Sequence, residues 1–384
     1  MFDDLSPEIL AKRRSVKWTM HDNDVIEAWV ADMDFDLAPP IRQAMQDLLD
    51  TNDIGYPGYD LRDEVRQAFA DRMRTHFGWD IEPDDSWLLT TVVQAIHVAL
   101  TLASEPGDGV VLLTPAYPPF LAAISQLNRR MVDAPLAWNG TRFELDEEVL
   151  DAAIDEGTRI LLLCNPHNPT GRVFSVEELE AIGRVARRHD LVVVADEIHQ
   201  DLRYAGHDHH VFAVVNPDLA ERTLTLASAS KTFNLAGNRC AVMHFGSSDL
   251  RARFDAYTHR FFGEVSLMGH VATLAAWTDP GSTGWLDALI EYLDGNRRFL
   301  SEALTERLPL AVHSPPEGTY LYWVDLNAYD VGENPAELLL EQGRVALGIG
   351  PDFGVHGHGF VRINMATSRA ILAEIVDRMV AVLA

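Results

Sequence analysis

SASKTFNLAGNR, residues 228–239, places a lysine, Lys231, just beyond the β-type run TLTLA (223–227). Ser228 and Ser230 flank the lysine, and Arg239 follows eight positions on. This small polar turn predicts a lysine at the end of a strand, among hydroxyls and a guanidinium. A lysine so placed can form a Schiff base with an aldehyde whose phosphate its neighbours hold. A surface lysine in a polar loop has the same local signature, so the reading depends on what lies upstream.

Two upstream stretches bear on it. NPHNPTG (165–171) follows the apolar run RILLLC, and its prolines and glycine force a turn that presents the Asn168 amide. ADEIH (195–199) ends the run LVVVAD and leaves Asp196 at a strand terminus, where a carboxylate can also be a plain helix cap. Open α/β sheets bind ligands outside the carboxyl ends of their strands, so Asn168, Asp196 and Lys231 are expected together at one edge.

The wider pattern agrees. Apolar runs at 109–115, 159–165, 191–197, 223–228 and 241–246 alternate with helical stretches, which predicts an α/β fold with a mainly parallel sheet flanked by helices. Ser175 with Glu178 forms a capping box that opens a helix running to about 189. The first 38 residues read as a helix and an irregular arm, in which WVADMDF (29–35) is either an edge strand or a loop laid across a site. After about Trp277 comes a long helix, then the strand-like TYLYWVDL, RVALGI and FVRINMA, then a closing amphipathic helix. The expected division is an N-terminal arm over 1–38 that is part of the small domain, a large cofactor-binding domain over 39–280 and a smaller α+β domain over 281–384.

A formal net charge of −27 argues against nucleic acid or an anionic membrane surface as a partner. The apolar runs are far too short to cross a membrane, and MFDDLSPEIL has no signal-peptide pattern. The two cysteines, Cys164 and Cys240, suggest a reducing compartment, and no metal-ligand spacing is present. The cytoplasm is the expected location.

The residue types suit one chemistry. A pyridine ring serves as an electron sink only while its nitrogen stays protonated, so a buried carboxylate must face it, and Asp196 suits that role. Asn168 and His199 could hydrogen-bond the ring's phenolic oxygen. Tyr117, in TPAYPPF, could stack on the ring or simply pack beside a proline turn.

The order NPHNPTG, DEIH, SASKTFNLAG resembles that of the fold-type I pyridoxal-phosphate enzymes of the aminotransferase superfamily. WVADMDF, GYPGY, EPGDGV with YPPF, LCNPHNPTGRVF, DEIHQDL, SKTFNLAG and FGVHGHGFVRIN make it similar to the MalY/PatB-type cystathionine β-lyases, or C–S lyases. The resemblance implies pyridoxal 5′-phosphate bound through Lys231, which is also the proton-transfer base. It implies Asp196 at the ring nitrogen and Asn168 and His199 near the ring oxygen. The phosphate falls to Ser228, Ser230 and the backbone around Val92 and Val93. Tyr56 would reach the phosphate of a neighbouring subunit, which makes a homodimer. Arg362 would clamp the substrate α-carboxylate, with Trp29 and Asp32 close by. The activity implied is β-elimination from L-cystathionine or another cysteine S-conjugate. The alternatives are an aminotransferase or, less readily, a cofactor-binding regulatory protein. Against the branch pattern stand Thr91 and Gln94 in TVVQAI, Ala195 before DEIH, Arg239, and MATSR in place of ACPR. An arginine at the place of Arg239 is more typical of aminotransferases, where it binds phosphate, and the resemblance implies that role here.

Overall fold

Seven strands form the larger sheet, in the order Ser86–Leu89, Ala241–Phe245, Thr223–Ala227, Val192–Asp196, Thr158–Cys164, Gly109–Thr114, Arg130–Pro135. The structure is a computed structural model and describes residues 2–257 and 259–384. Ala241–Phe245 runs antiparallel to both its neighbours, and every other adjacent pair is parallel. Strands such as Gly109–Thr114 and Thr223–Ala227 are buried throughout, which is why the sequence shows continuous apolar runs there instead of alternation. Val110 and Leu112 join one apolar cluster with helices Val92–Ala103 and Pro118–Gln126. Val111 and Leu113 point the other way, into a cluster with helix Val176–Arg188. Both faces are thus covered.

Register positions the site. Cys164 pairs with Asp196, and Asp196 with Leu226, so three neighbouring strands end level with one another. The residues that follow, in NPHNPTG, DEIH and SASK, leave the sheet at that single edge. The Ser175–Glu178 capping box forms as expected. Glu178 also accepts from Arg172 at 2.8 Å, and Arg172 donates to Glu317 at 2.8 Å, which ties the end of the NPHNPTG loop to the segment leading into strand Leu321–Asp325.

That second sheet has the order Ile26–Ala28, Val345–Ile349, Phe360–Asn364, Leu321–Asp325, Val312–His313. It packs on helices Pro280–Arg307 and Arg369–Leu383. The N-terminal arm contributes its parallel edge strand, Ile26–Ala28, and stretch 29–35 is the loop of the two forms open to it. Two edge strands of the large sheet, Ser86–Leu89 and Arg130–Pro135, lie where the sequence suggested none. The first is only four residues long, and the second starts with two exposed positions, so neither shows as an apolar run.

Beneath the Lys231 turn, Arg72 of helix Tyr59–Phe77 is buried against Asp201, whose other oxygen accepts from Thr232 Oγ1 at 3.1 Å. Asp201→Asn would leave the Arg72 charge buried and unpaired. It should lower unfolding free energy by about 3 kcal/mol in urea denaturation; a change under about 0.5 kcal/mol would show that this pair does not hold the turn.

Candidate active site

A cavity of about 150 Å³ opens at the shared strand edge, lined by Lys231, Asp196, Asn168, His199 and Tyr117. Val92, Val93, Ser228, Ser230 and Arg239 line it as well. Trp29, Asp32 and Arg362, from the arm and the small sheet, are not among its lining residues; Ala31 of the arm is, and Arg362 reaches the cavity wall through Asn168. Tyr56 is not brought to this cavity within the chain. It is 96 % exposed and lines a separate groove of about 1240 Å³ with Tyr59, Arg62 and Tyr257.

Asp196 ends its strand only 4 % exposed and accepts the Ile198 N–H at 3.1 Å. Burial pushes its carboxyl up to about 7, against the pull of that hydrogen bond; the Glu197 charge raises it further and the Lys231 charge lowers it. Burial is also the main force holding the Lys231 amine below its ordinary range, opposed by the Asp32 and Asp196 carboxylates. His199 is depressed to about 3 by burial and by the Lys231 and Arg362 charges, so it is neutral near pH 7.

Arg362 sits on strand Phe360–Asn364, 5 % exposed, with Phe353 under its guanidinium at 4.9 Å. It donates to Asn168 Oδ1 at 3.0 Å and to the Trp29 carbonyl at 2.7 Å. Its Nε and His199 Nδ1 are buried with no hydrogen-bond partner among the described residues. A group that belongs in the cavity can satisfy both, since a buried polar atom left alone costs free energy. The Tyr117 ring lines the cavity edge-on to Phe120, centroids 5.4 Å apart.

Helix Val92–Ala103 starts at the cavity. Thr91 caps it by accepting the Gln94 N–H, and Gln94 Oε1 accepts from both the Thr90 N–H and the Thr90 hydroxyl at 2.8 Å. Gln94 Nε2 reaches the Phe262 carbonyl at 2.5 Å. The Val92 and Val93 N–H groups, in the first turn, are free of intrahelical partners and suit an anion. Ser228 caps the lysine turn by accepting the Ser230 N–H at 3.1 Å, while its own hydroxyl donates to the Cys240 carbonyl at 2.6 Å. Arg239 is exposed, in a left-handed turn with φ 56°, and pairs with no acid among the described residues.

Arm residues 29–35 join no strand among the described residues, and side chains take their carbonyls. Arg362 holds Trp29, and Asn364 Nδ2 holds Val30 at 2.6 Å and Asp32 at 2.7 Å. Lys231 donates to Ala31 at 2.8 Å, as does the Tyr320 hydroxyl at 2.8 Å. Asn234 holds Met33 at 3.0 Å and Phe35 at 3.2 Å. Lys17 and Trp18 both bind the buried Asp34 carboxylate at 2.9 Å. Tyr320, Asn364, Asn234 and Gln94 were not among the expected site residues. The two asparagines carried a signal as polar side chains beside SKTF and FVRI, and Gln94 as a departure from the branch pattern in TVVQAI; Tyr320 carried none.

The residues present fit pyridoxal phosphate: a buried carboxylate for a ring nitrogen, an unpartnered imidazole, a helix start for a phosphate, and a lysine among them. The aminotransferase class I and II family model matches residues 24–379. Cystathionine β-lyase PatB of Bacillus subtilis is 34 % identical over 96 % of this chain and 97 % of its own. MalY of Escherichia coli is 31 % identical over 91 % of this chain and 90 % of its own. Cystalysin of Treponema denticola, whose structure contains a pyridoxal 5′-phosphate cofactor, superposes with a TM-score of 0.93 at 31 % identity, covering 100 % of this chain and 99 % of that one.

The Asp196 carboxyl lies at about 7, above the ~3.9 of an unfolded aspartate. The cost of ionising it in the cofactor-free fold is therefore absent below about pH 4, grows as pH rises to 7 and is constant above. Asp196→Asn removes it. The cofactor-free variant should be more stable than wild type by roughly 2–4 kcal/mol at pH 8, with the gap narrowing towards pH 5, in urea denaturation. A pH-independent difference would contradict the buried, unneutralised carboxylate.

Proposed function

The chain belongs to the class I and II aminotransferase family, and we propose that within it the protein is a pyridoxal-phosphate-dependent carbon–sulfur β-lyase acting on L-cystathionine or related cysteine S-conjugates. The observation that carries this reading is the meeting, in one cavity, of the depressed Lys231 amine, the buried Asp196 carboxylate and Asn168, whose side-chain oxygen accepts from Arg362 behind it. The full-length likeness to PatB supports lyase over aminotransferase.

Pyridoxal phosphate, when bound, supplies an aldehyde for an amine and a protonated ring that accepts the electron pair of a bond broken at the substrate Cα. The chain's own residues do the rest. Asp196 would hold the proton on the ring nitrogen. The first turn of Val92–Ala103, with Ser228, Ser230 and Arg239, would bind the phosphate. Asn168 and His199 would serve the ring oxygen and Tyr117 the ring, all from the cavity lining, and Arg362 would receive the substrate carboxylate through its unpartnered Nε, with Trp29 and Asp32 close by. Lys231, held below its ordinary range, takes the Cα proton. The C–S bond then breaks with its electron pair going to sulfur. A cysteine S-conjugate and one water thus yield a thiol, pyruvate and ammonium.

A homodimer belongs to the same reading. Tyr56 at 96 %, Tyr59 at 84 % and Phe261 at 68 % exposure are costly to leave in water and lie on one side of the larger groove or beside it. Tyr56 would there meet the partner's phosphate. The division at 38/39 and 280/281 also belongs to it, supported by two separate sheets.

The purified protein should release pyruvate from L-cystathionine with no keto acid added. Lys231→Ala should lower that rate by about a thousandfold, and borohydride should fix the cofactor on Lys231 in wild type. Strict dependence on a keto acid would make the protein an aminotransferase instead.

Arg239→Ala should weaken pyridoxal-phosphate binding by ~10-fold or more, for a charged hydrogen bond of ~1.5–3 kcal/mol. The ratio of elimination to transamination should stay put, because the phosphate is remote from the bonds that break. Titration of cofactor into the cofactor-free variant decides this: unchanged affinity removes Arg239 from the site.

A further inference from the structure

Two donors meet on one carbonyl at the cavity wall. The Ala31 oxygen accepts from Lys231 Nζ at 2.8 Å and from Tyr320 Oη at 2.8 Å. Tyr320 is 1 % exposed and stands immediately before strand Leu321–Asp325, its ring edge-on to His199 with centroids 6.2 Å apart. Burial pushes its hydroxyl far above its ordinary value, so it remains a protonated donor at any working pH. A carbonyl oxygen has two lone pairs, and these two donors occupy both.

The peptides on either side of that carbonyl are held as well. Asn364 Nδ2 grips the carbonyls on either side, Val30 at 2.6 Å and Asp32 at 2.7 Å. Arg362, two residues before Asn364 on the same strand, grips Trp29 at 2.7 Å. Tyr320 thus closes a set of small-sheet side chains that hold this part of the arm against the lysine.

We propose that Tyr320 is a positioning residue for proton transfer: it fixes the Ala31 carbonyl, and that carbonyl orients the Lys231 amine towards the Cα of a bound amino acid. The inference rests on the reading of Lys231 as the base. A free amine rotates about its Cε–Nζ bond. With one N–H donated to a fixed acceptor, its lone pair is held in a narrow range of directions, and orientation of this kind is a large part of rate. The lone pair takes the Cα proton, and the C–H electron pair stays on the substrate side. Without the tyrosine hydroxyl the carbonyl keeps its place less firmly, and the amine samples unproductive directions.

The test uses the cofactor-loaded protein and L-alanine in D₂O, with α-proton exchange followed by NMR. L-Alanine carries no leaving group, so exchange reports Lys231 whether the protein is a lyase or an aminotransferase. Failure to cleave cystathionine would sink the lyase reading and leave this test standing. Tyr320→Phe should lower the maximal exchange rate by about three- to tenfold. KM for L-alanine and the affinity for pyridoxal phosphate should stay within about twofold of wild type, because Tyr320 is not among the residues lining the cavity. The primary isotope effect with α-deuterated L-alanine in H₂O should rise. Unchanged exchange would overturn the proposal, as would a fall in cofactor affinity matching the fall in rate. If Tyr320→Phe does not fold, Ala31→Gly, which keeps the carbonyl but loosens its segment, should give the same split of rate from KM; unchanged exchange there would count equally against it.

Discussion

A carboxylate buried without a fixed cation is the constraint around which this molecule is arranged. Asp196 accepts one backbone N–H, and burial holds its carboxyl at about 7. A protein tolerates such a group where a ligand supplies the missing positive charge. The parallel register of three strands brings that carboxylate level with the NPHNPTG and SASK turns, so the ligand meets a lysine and an amide at the same edge. The raised carboxylate, lowered lysine and neutral histidine are consequences of one buried cavity, and their shifts share one main cause.

The second sheet matters to the site through the arm. Residues 29–35 run from edge strand Ile26–Ala28 over the cavity, and their carbonyls are taken by Arg362, Asn364, Tyr320, Lys231 and Asn234. Arg362 and Lys231 are thereby referenced to the same few peptide groups, although one lies on the second sheet and the other follows a strand of the first. The energetic value of each bond is modest, about 1 kcal/mol, but their geometric value is large because none can shift without its neighbours.

What the sequence disclosed was local. Proline and glycine mark the NPHNPTG turn, continuous apolar runs mark buried strands, and a lysine just past such a run marks a strand end. These signals located Lys231, Asp196 and Asn168 at one edge before any coordinates. The arm was legible only as two alternatives, because an acidic–apolar alternation does not reveal that side chains from other elements will take its carbonyls. Tyr320 reads as one more aromatic in TYLYW, and Gln94 as a polar residue in a helix; their partners lie 289 and 168 positions away in the chain, beyond any periodicity argument. Ser228 was expected to face a phosphate, and the structure adds that its hydroxyl already serves the Cys240 carbonyl.

The account stands most directly on the pairing of Asp196 with a protonated ring nitrogen. Cofactor-free protein should be titrated with pyridoxal phosphate and, in parallel, with an analogue whose ring nitrogen is replaced by a C–H group. The analogue should bind at least ~10-fold more weakly, the loss expected for a charged hydrogen bond, and should release no pyruvate from L-cystathionine. Equal affinity and equal turnover with the two compounds would contradict it.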